Sequence, residues 1–175
     1  MLFWFDTEFL DNGDGALHLV SLGIVAEDGR EYYAVNAECP LELANDWVRE
    51  HVLPHVRRDL SIPTRHVSKR EIRDDLLGFI TVGGPEPEFW GYMAAYDWVL
   101  FCGLFGTMQS FPDGWPKYCR DLRLWADFLG SPELPVQNEG YHHALWDARW
   151  NRQTWQYLDA LARKRLRPTH SDRRR

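Results

Sequence analysis

Apolar positions along this chain fall into two rhythms. From Leu2 to Phe9 the run LFWFDTEF carries large apolar side chains almost without a break, as a strand covered on both faces does. LHLVSLGIVAED (17–28) and EYYAVN (31–36) read as a second and a third strand. The Asp28-Gly29 pair between them is a two-residue hairpin signal, and DNGDG (11–15) is a turn between the first two strands. The chain is therefore expected to open as an antiparallel three-strand meander.

A helical period then takes over. Asn45 is placed to cap a short helix through WVREHVL that Pro54 stops, and a loop is expected from Arg57 to Arg65. Ser68-Lys69-Arg70-Glu71 matches a capping box, behind which Ile72, Leu76, Phe79 and Ile80 share one helical face. After the GGPEPE turn, FWGYMA (89–94) reads as a further strand leading into a helix from Asp97 to Phe105. A loop rich in Pro and Gly precedes a helix over LRLWADFL (122–129), and SPELPVQNEG is another loop. A last helix is expected from His143 to Lys164, with Ala144, Leu145, Ala148, Trp155, Leu158 and Leu161 mostly on one face. Strands first, then strands alternating with helices, predict one α/β domain with a mixed sheet flanked by helices. It is expected to occupy residues 1–166, with RPTHSDRRR (167–175) a basic disordered tail.

Composition narrows the class. Apolar residues make up 45% of the 175, aromatics 14%, and Trp alone occurs nine times, enough for a substantial core. The mean hydropathy of -0.46 and the absence of any apolar run near 18 residues argue against a membrane span. The N-terminus has no basic segment leading into a plain apolar one, so no signal peptide is expected. Cys39, Cys102 and Cys119 are odd in number, widely spaced and without a CxxC pair, which predicts free thiols in a reducing cytoplasm. A net charge of -6 argues against a protein held to nucleic acid by bulk positive charge. Arg163 to Arg175 holds seven Lys/Arg against one Asp, which leaves the rest of the chain near -12. Such an acidic body can still act on polyanions once metal ions neutralise its carboxylates.

The first strand poses the chemical question. Asp6 and Glu8 alternate in phase, so they point to the same face among aromatic rings, where two carboxylates lose solvation and repel each other. Two later acids sit in similar apolar text: Asp97 where a strand gives way to a helix, and Asp147 just inside the last helix, five positions after His142. Four carboxylates gathered at one sheet edge suit a pair of hard divalent cations, Mg²⁺ or Mn²⁺, which take oxygen ligands and are completed by substrate phosphate. Two such ions roughly 3.5–4 Å apart stabilise both the attacking and the leaving oxygen of a phosphoryl displacement. A histidine of near-neutral pKa can take the proton from the attacking water. Plainer roles stand beside these: Asp97 as a helix N-cap, Asp147 as a solvated helix residue, His142 as a surface histidine.

The set DTE (6–8), YD (96–97) and His142-x4-Asp147-Ala148 resembles the three motifs of the DEDDh 3′–5′ exonucleases, in the same order. The wider text, including LVSLGIVAEDGREYYAVN, WVREHVLPHV and WGYMAAYDWV, is most similar to the polyadenylate-specific exoribonuclease AS group. The resemblance implies a ribonuclease H-like sheet, the antiparallel meander being followed by parallel strands. It implies stepwise release of nucleoside 5′-monophosphates from single-stranded RNA, a preference for adenylate-rich 3′ ends, and a homodimer. It assigns two Mg²⁺ or Mn²⁺ ions to Asp6, Glu8, Asp97 and Asp147. The family spacing selects His142 over His143 as general base. Glu8, Phe9, Leu10 and His142 are expected to contact the terminal nucleotide, although Phe9 is equally well placed for the core. Lys69, Arg70, Arg73, Lys117, Arg120 and Arg123 are candidates for tracking phosphates or for plain solvated faces, and the basic tail for tethering RNA. Two alternatives remain beside this reading: an exonuclease acting on single-stranded DNA, and a nucleic-acid-binding module without catalysis.

Overall fold

Six strands hydrogen-bond into one mixed sheet in the computed structural model, which describes residues 1–11, 13, 15–58, 64–84, 86–138 and 140–166, without the side chains of Arg57 and Arg58. The strands are β1 (Leu2–Asp11), β2 (Leu17–Ala26), β3 (Glu31–Asn36), β4 (Arg65–Val67), β5 (Glu88–Gly91) and β6 (Arg120–Asp121). Their spatial order is β4-β3-β2-β1-β5-β6. β1 to β3 form the antiparallel meander, while β4 runs parallel to β3, β5 to β1 and β6 to β5. This is the expected mixed α/β sheet, an antiparallel meander followed by parallel strands.

Helices cover both faces. α1 (Asp46–His51), α2 (Leu53–Arg58), α3 (Lys69–Thr81), α4 (Ala95–Leu104), α5 (Leu122–Phe128) and α6 (Ala144–Leu166) connect or follow the strands. On one face Phe3 and Phe5 of β1 pack with Ile72, Leu76 and Ile80 of α3 and with Phe101 of α4. On the other face Trp4 meets Leu158 of α6 and Leu122 of α5, while Leu10 joins Val48, Val52, Ala144 and Ala148. β1 is thus buried from both sides, which is why its sequence shows so little alternation.

The capping signals are realised. The Asn45 side chain accepts from Val48 N at 2.9 Å, and Ser68 and Glu71 make the reciprocal pair of bonds that starts α3. Several boundaries differ from the expectation. The β2–β3 hairpin turns through Glu27-Asp28-Gly29, not through two residues: Ala26 N donates to Arg30 O, and Gly29 adopts φ 92°. That geometry is the turn-plus-bulge loop that a left-handed glycine permits. Pro54 does not end the helical segment but sits in the first turn of α2, where a missing N–H costs nothing. The region expected as loop from Arg57 to Arg65 contains the end of α2 and the start of β4, and FWGYMA is strand only as far as Gly91. The tail from residue 167 and parts of the turns at 11–15, 57–65, 83–88 and 131–140 lie outside the described residues. No described helix is long and apolar enough to cross a membrane. The three cysteines are free.

Candidate active site

The site begins where β5 stops. β5 pairs with β1 only from Leu2 to Trp4, so among the described residues the rest of β1 has no strand on that side. Two of the backbone groups left over are met by side chains. Phe5 O accepts from Asn151 Nδ2 at 2.9 Å, and Thr7 N donates to Asp97 Oδ1 at 3.0 Å. The Thr7 hydroxyl donates to the same oxygen at 2.6 Å. Asp97 and Asn151 therefore replace a strand, satisfying polar groups that would otherwise be buried without partners. Asp97 lies within the first turn of α4, not at its cap: the N-cap position belongs to Ala94, which has no capping side chain. The plain capping role considered for Asp97 is thereby corrected.

Asp6 and Glu8 leave β1 towards α6, opposite Gly23 and Ser21 of β2. Gly23 decides how near α6 comes. A Cβ there would lie 2.4 Å from the backbone of Ala144 and Leu145, so only glycine lets the first turn of α6 rest on the sheet beside Asp6. Asp147, on that turn, completes a ring: carboxylate oxygens of Asp6, Glu8 and Asp147 lie within 4.8 Å of one another. Asp97 stands outside this ring, its Oδ1 turned to Thr7. The two Asp147 oxygens accept from Gln137 Nε2 at 2.7 Å and from His143 N at 3.1 Å, which fixes the carboxylate plane.

Electrostatics show the cost of the ring. Burial, then the charges of Asp97, Asp147 and Glu8, push Asp6 well above its ordinary 3.8. Burial and Asp147 do the same to Glu8, from 4.5. Asp97 and Asp147 are raised mainly by burial, with their hydrogen bonds working against it. All four acids resist ionising together. The set offers hard oxygen donors alone, converging at one point and short of positive charge. Its chemistry fits a hard divalent cation.

The acids open into a cleft of about 830 Å³ walled by Phe9, Trp47, Tyr92, Val136, Tyr141, His142 and Trp150 among others. The adjacent histidines separate cleanly. His143 is buried and stacks on Tyr33 with ring centroids 4.4 Å apart, whereas His142 faces the cleft. Burial lowers the His142 pKa below 6.5, His51 and His55 adding to the effect and Asp147 opposing it. Phe9 lines the cleft and meets Tyr96 edge-on at 5.8 Å. Leu10 does not reach the cleft: it is packed with Val48, Val52 and Ala144 at 0% exposure, so the contact expected of it is not available there. None of Lys69, Arg70, Arg73, Lys117, Arg120 and Arg123 lines the cleft. Arg70 and Arg73 pair with Asp74, Arg120 with Glu88 and Arg123 with Asp127, while Lys117 bonds Gln109.

Thr7, Gly23, Gln137 and Asn151 were absent from the sequence reading. Thr7 lies inside the DTE motif, where an uncharged residue between two acids gives no signal of its own. Gly23 and Asn151 have no pattern to reveal them because their partners are distant in the chain, and Gln137 lies in an irregular segment with no period to place its side chain.

A mixed sheet with two buried acids on β1, to which α6 brings a third, defines a class: α/β proteins whose clustered carboxylates suit a hard cation. Comparison with known proteins narrows it. Residues 2–158 match the family described as the 3′-5′ exoribonuclease Rv2179c-like domain, and the chain belongs to that family. It is 44% identical over 151 residues to 3′-5′ exoribonuclease Rv2179c of Mycobacterium tuberculosis (strain ATCC 25618 / H37Rv), covering 85% of this chain and 88% of the relative. The same figures hold for 3′-5′ exoribonuclease MT2234.1 of Mycobacterium tuberculosis (strain CDC 1551 / Oshkosh). Among solved structures, the Neurospora crassa Pan2 catalytic unit (protease and nuclease domain) overlaps 95% of this chain and 30% of its own at 13% identity. The TM-score of that overlap is 0.45.

Proposed function

We propose that this protein is a 3′-5′ exoribonuclease of the DEDDh type that removes nucleoside 5′-monophosphates one at a time from single-stranded RNA. The observation that carries the reading is the ring of Asp6, Glu8 and Asp147 oxygens within 4.8 Å at the floor of an apolar cleft. Relatives at 44% identity that bear the name 3′-5′ exoribonuclease support RNA as the substrate. Two divalent cations, Mg²⁺ or Mn²⁺, held by Asp6, Glu8, Asp97 and Asp147, would supply charge neutralisation at the attacked phosphate and stabilise the leaving oxygen.

The chain's own residues do the rest. His142, neutral because burial lowers its pKa, accepts the proton of the attacking water. Gln137 and the His143 N–H hold Asp147 in one orientation, and Thr7 holds Asp97. Phe9, half-buried at the cleft wall, offers a ring for the terminal base, a contact worth roughly 1–3 kcal/mol that tolerates any base. Preference for adenylate-rich ends, a homodimeric state and a cytoplasmic setting are proposed from the sequence resemblance to the polyadenylate-specific group.

The test is a time course on matched oligomers of A, U and C RNA and of DNA, with product analysis, in Mn²⁺, Mg²⁺ or EDTA. Metal-dependent monophosphate release from RNA, fastest on A, is the expected result. Equal rates on DNA would remove the ribonuclease reading. Binding of RNA without hydrolysis under every metal condition would leave a catalytically silent module. Sedimentation of the purified protein tests the dimer.

A further inference from the structure

We infer that Trp47 is a positioning residue for His142, holding its imidazole at the cleft; the inference rests on the general-base reading above. His142 occupies an unusual place. Its φ of 61° is left-handed, a state that non-glycine residues rarely adopt without support from their surroundings. Its chain neighbours are fixed elsewhere. Gly140 lies so close on Trp146 that a Cβ would come within 2.3 Å of Cγ, and His143 stacks on Tyr33 in the core. Between these anchors the His142 side chain points into the cleft, and other rings meet it there. Trp47 lies 5.0 Å away at 80°, an edge-to-face contact, with His51 at 6.4 Å and Tyr141 at 6.5 Å. Edge-to-face packing is orientation-dependent, so it sets the angle of a ring as well as its position.

Trp47 is itself held for this purpose. It is 51% exposed, far more than packing would require of so large an apolar side chain. Its ring stacks on His51 at 4.9 Å and 12°, and the His51 Nδ1 lies 3.0 Å from the Trp47 carbonyl oxygen, so the two side chains brace each other along α1. The start of α1 is pinned by Asn45, which caps Val48 N and donates to Asp11 O at 3.3 Å. Asp11 ends β1, the strand that carries Asp6 and Glu8. Trp47 thus relates the histidine loop to the acid-bearing strand by a route independent of α6.

Kinetics on a labelled RNA oligomer in Mn²⁺ decide the matter, using Trp47→Ala, Trp47→Leu, Trp47→Phe, His142→Ala and the double variant Trp47→Ala/His142→Ala. Trp47→Leu keeps apolar bulk without a ring, so it separates loss of orientation from loss of packing. Both Trp47→Ala and Trp47→Leu are expected to lower kcat about ten- to hundredfold with KM within about twofold, and Trp47→Phe to recover most of it. Added to His142→Ala, Trp47→Ala is expected to cost less than about a further twofold. Mn²⁺ binding followed by calorimetry is expected to be unchanged in all of them. An equal loss in both backgrounds, or a raised KM at unchanged kcat, would overturn the inference and make Trp47 a structural or substrate contact. Wild-type turnover in His142→Ala alone would instead remove the general-base reading, and the inference with it.

Discussion

Asp6 shows in one residue why this site is unstable by construction. It shares its surroundings with three other carboxylates, and each raises the pKa of at least one neighbour. Replacing Asp6 by Asn keeps the shape and removes one charge from the repulsion. Without added metal at neutral pH, Asp6→Asn is expected to raise the thermal midpoint by about 2–4 °C, the effect of roughly 1 kcal/mol in a chain of this size. The same change should lower turnover by several orders of magnitude. Scanning calorimetry and oligomer hydrolysis would record both, and a variant less stable than wild type would contradict the account of the ring as mutual repulsion. The acids are legible as candidates through their order, spacing and apolar surroundings, whereas the choice of His142 over His143 rests on the family resemblance. Gln137 is not legible, because nothing in QNEG marks a side chain that crosses to Asp147.

At the scale of elements, one strand and one helix build the centre, and a glycine sets the distance between them. Gly23→Ala would place a methyl 2.4 Å from the α6 backbone, which cannot yield as a side-chain tip can. Overpacking of this kind costs about 1–3 kcal/mol or more, and lifting α6 would carry Asp147 away from Asp6. The variant should melt lower and bind Mn²⁺ more weakly, and calorimetry would show both. A contrasting change lies on the opposite face: Ser68→Ala removes the capping box of α3 and should cost about 1 kcal/mol while kcat stays as in wild type. Loss of activity there would mean that the two faces are mechanically coupled. Long elements with a clear period were read nearly to their ends. The short β4 and β6 were missed, since strands of Arg65–Val67 and Arg120–Asp121 are too brief to show alternation and exist only by pairing with neighbours.

For the whole molecule, the ring ties folding to pH and to metal. Asp6 and Glu8 bind protons more tightly folded than unfolded, so the native state holds more protons wherever they titrate. Stability from these groups is complete below their ordinary 3.8 and 4.5 and is lost as pH rises through their raised values. His142, with a lowered pKa, acts in the opposite sense, contributing stability that is lost as pH falls below 6.5. Four acids shifted upwards stand against one histidine shifted downwards. The metal-free protein should therefore resist urea better near about pH 5.5 than near about pH 8, and millimolar Mn²⁺ should remove most of the difference by binding only the folded state. A flat profile without metal would contradict the repulsive ring. The amino-acid sequence by itself determined the strand and helix periods, the caps and the candidate acids, because those depend on near neighbours and on side-chain chemistry. Only the tertiary structure decided that β5 ends early, that Asp97 and Asn151 take the bonds it leaves, and that Gly23 admits α6. Those outcomes depend on which backbone groups lack a partner and on distances between segments 86 to 146 residues apart, and no local pattern encodes either.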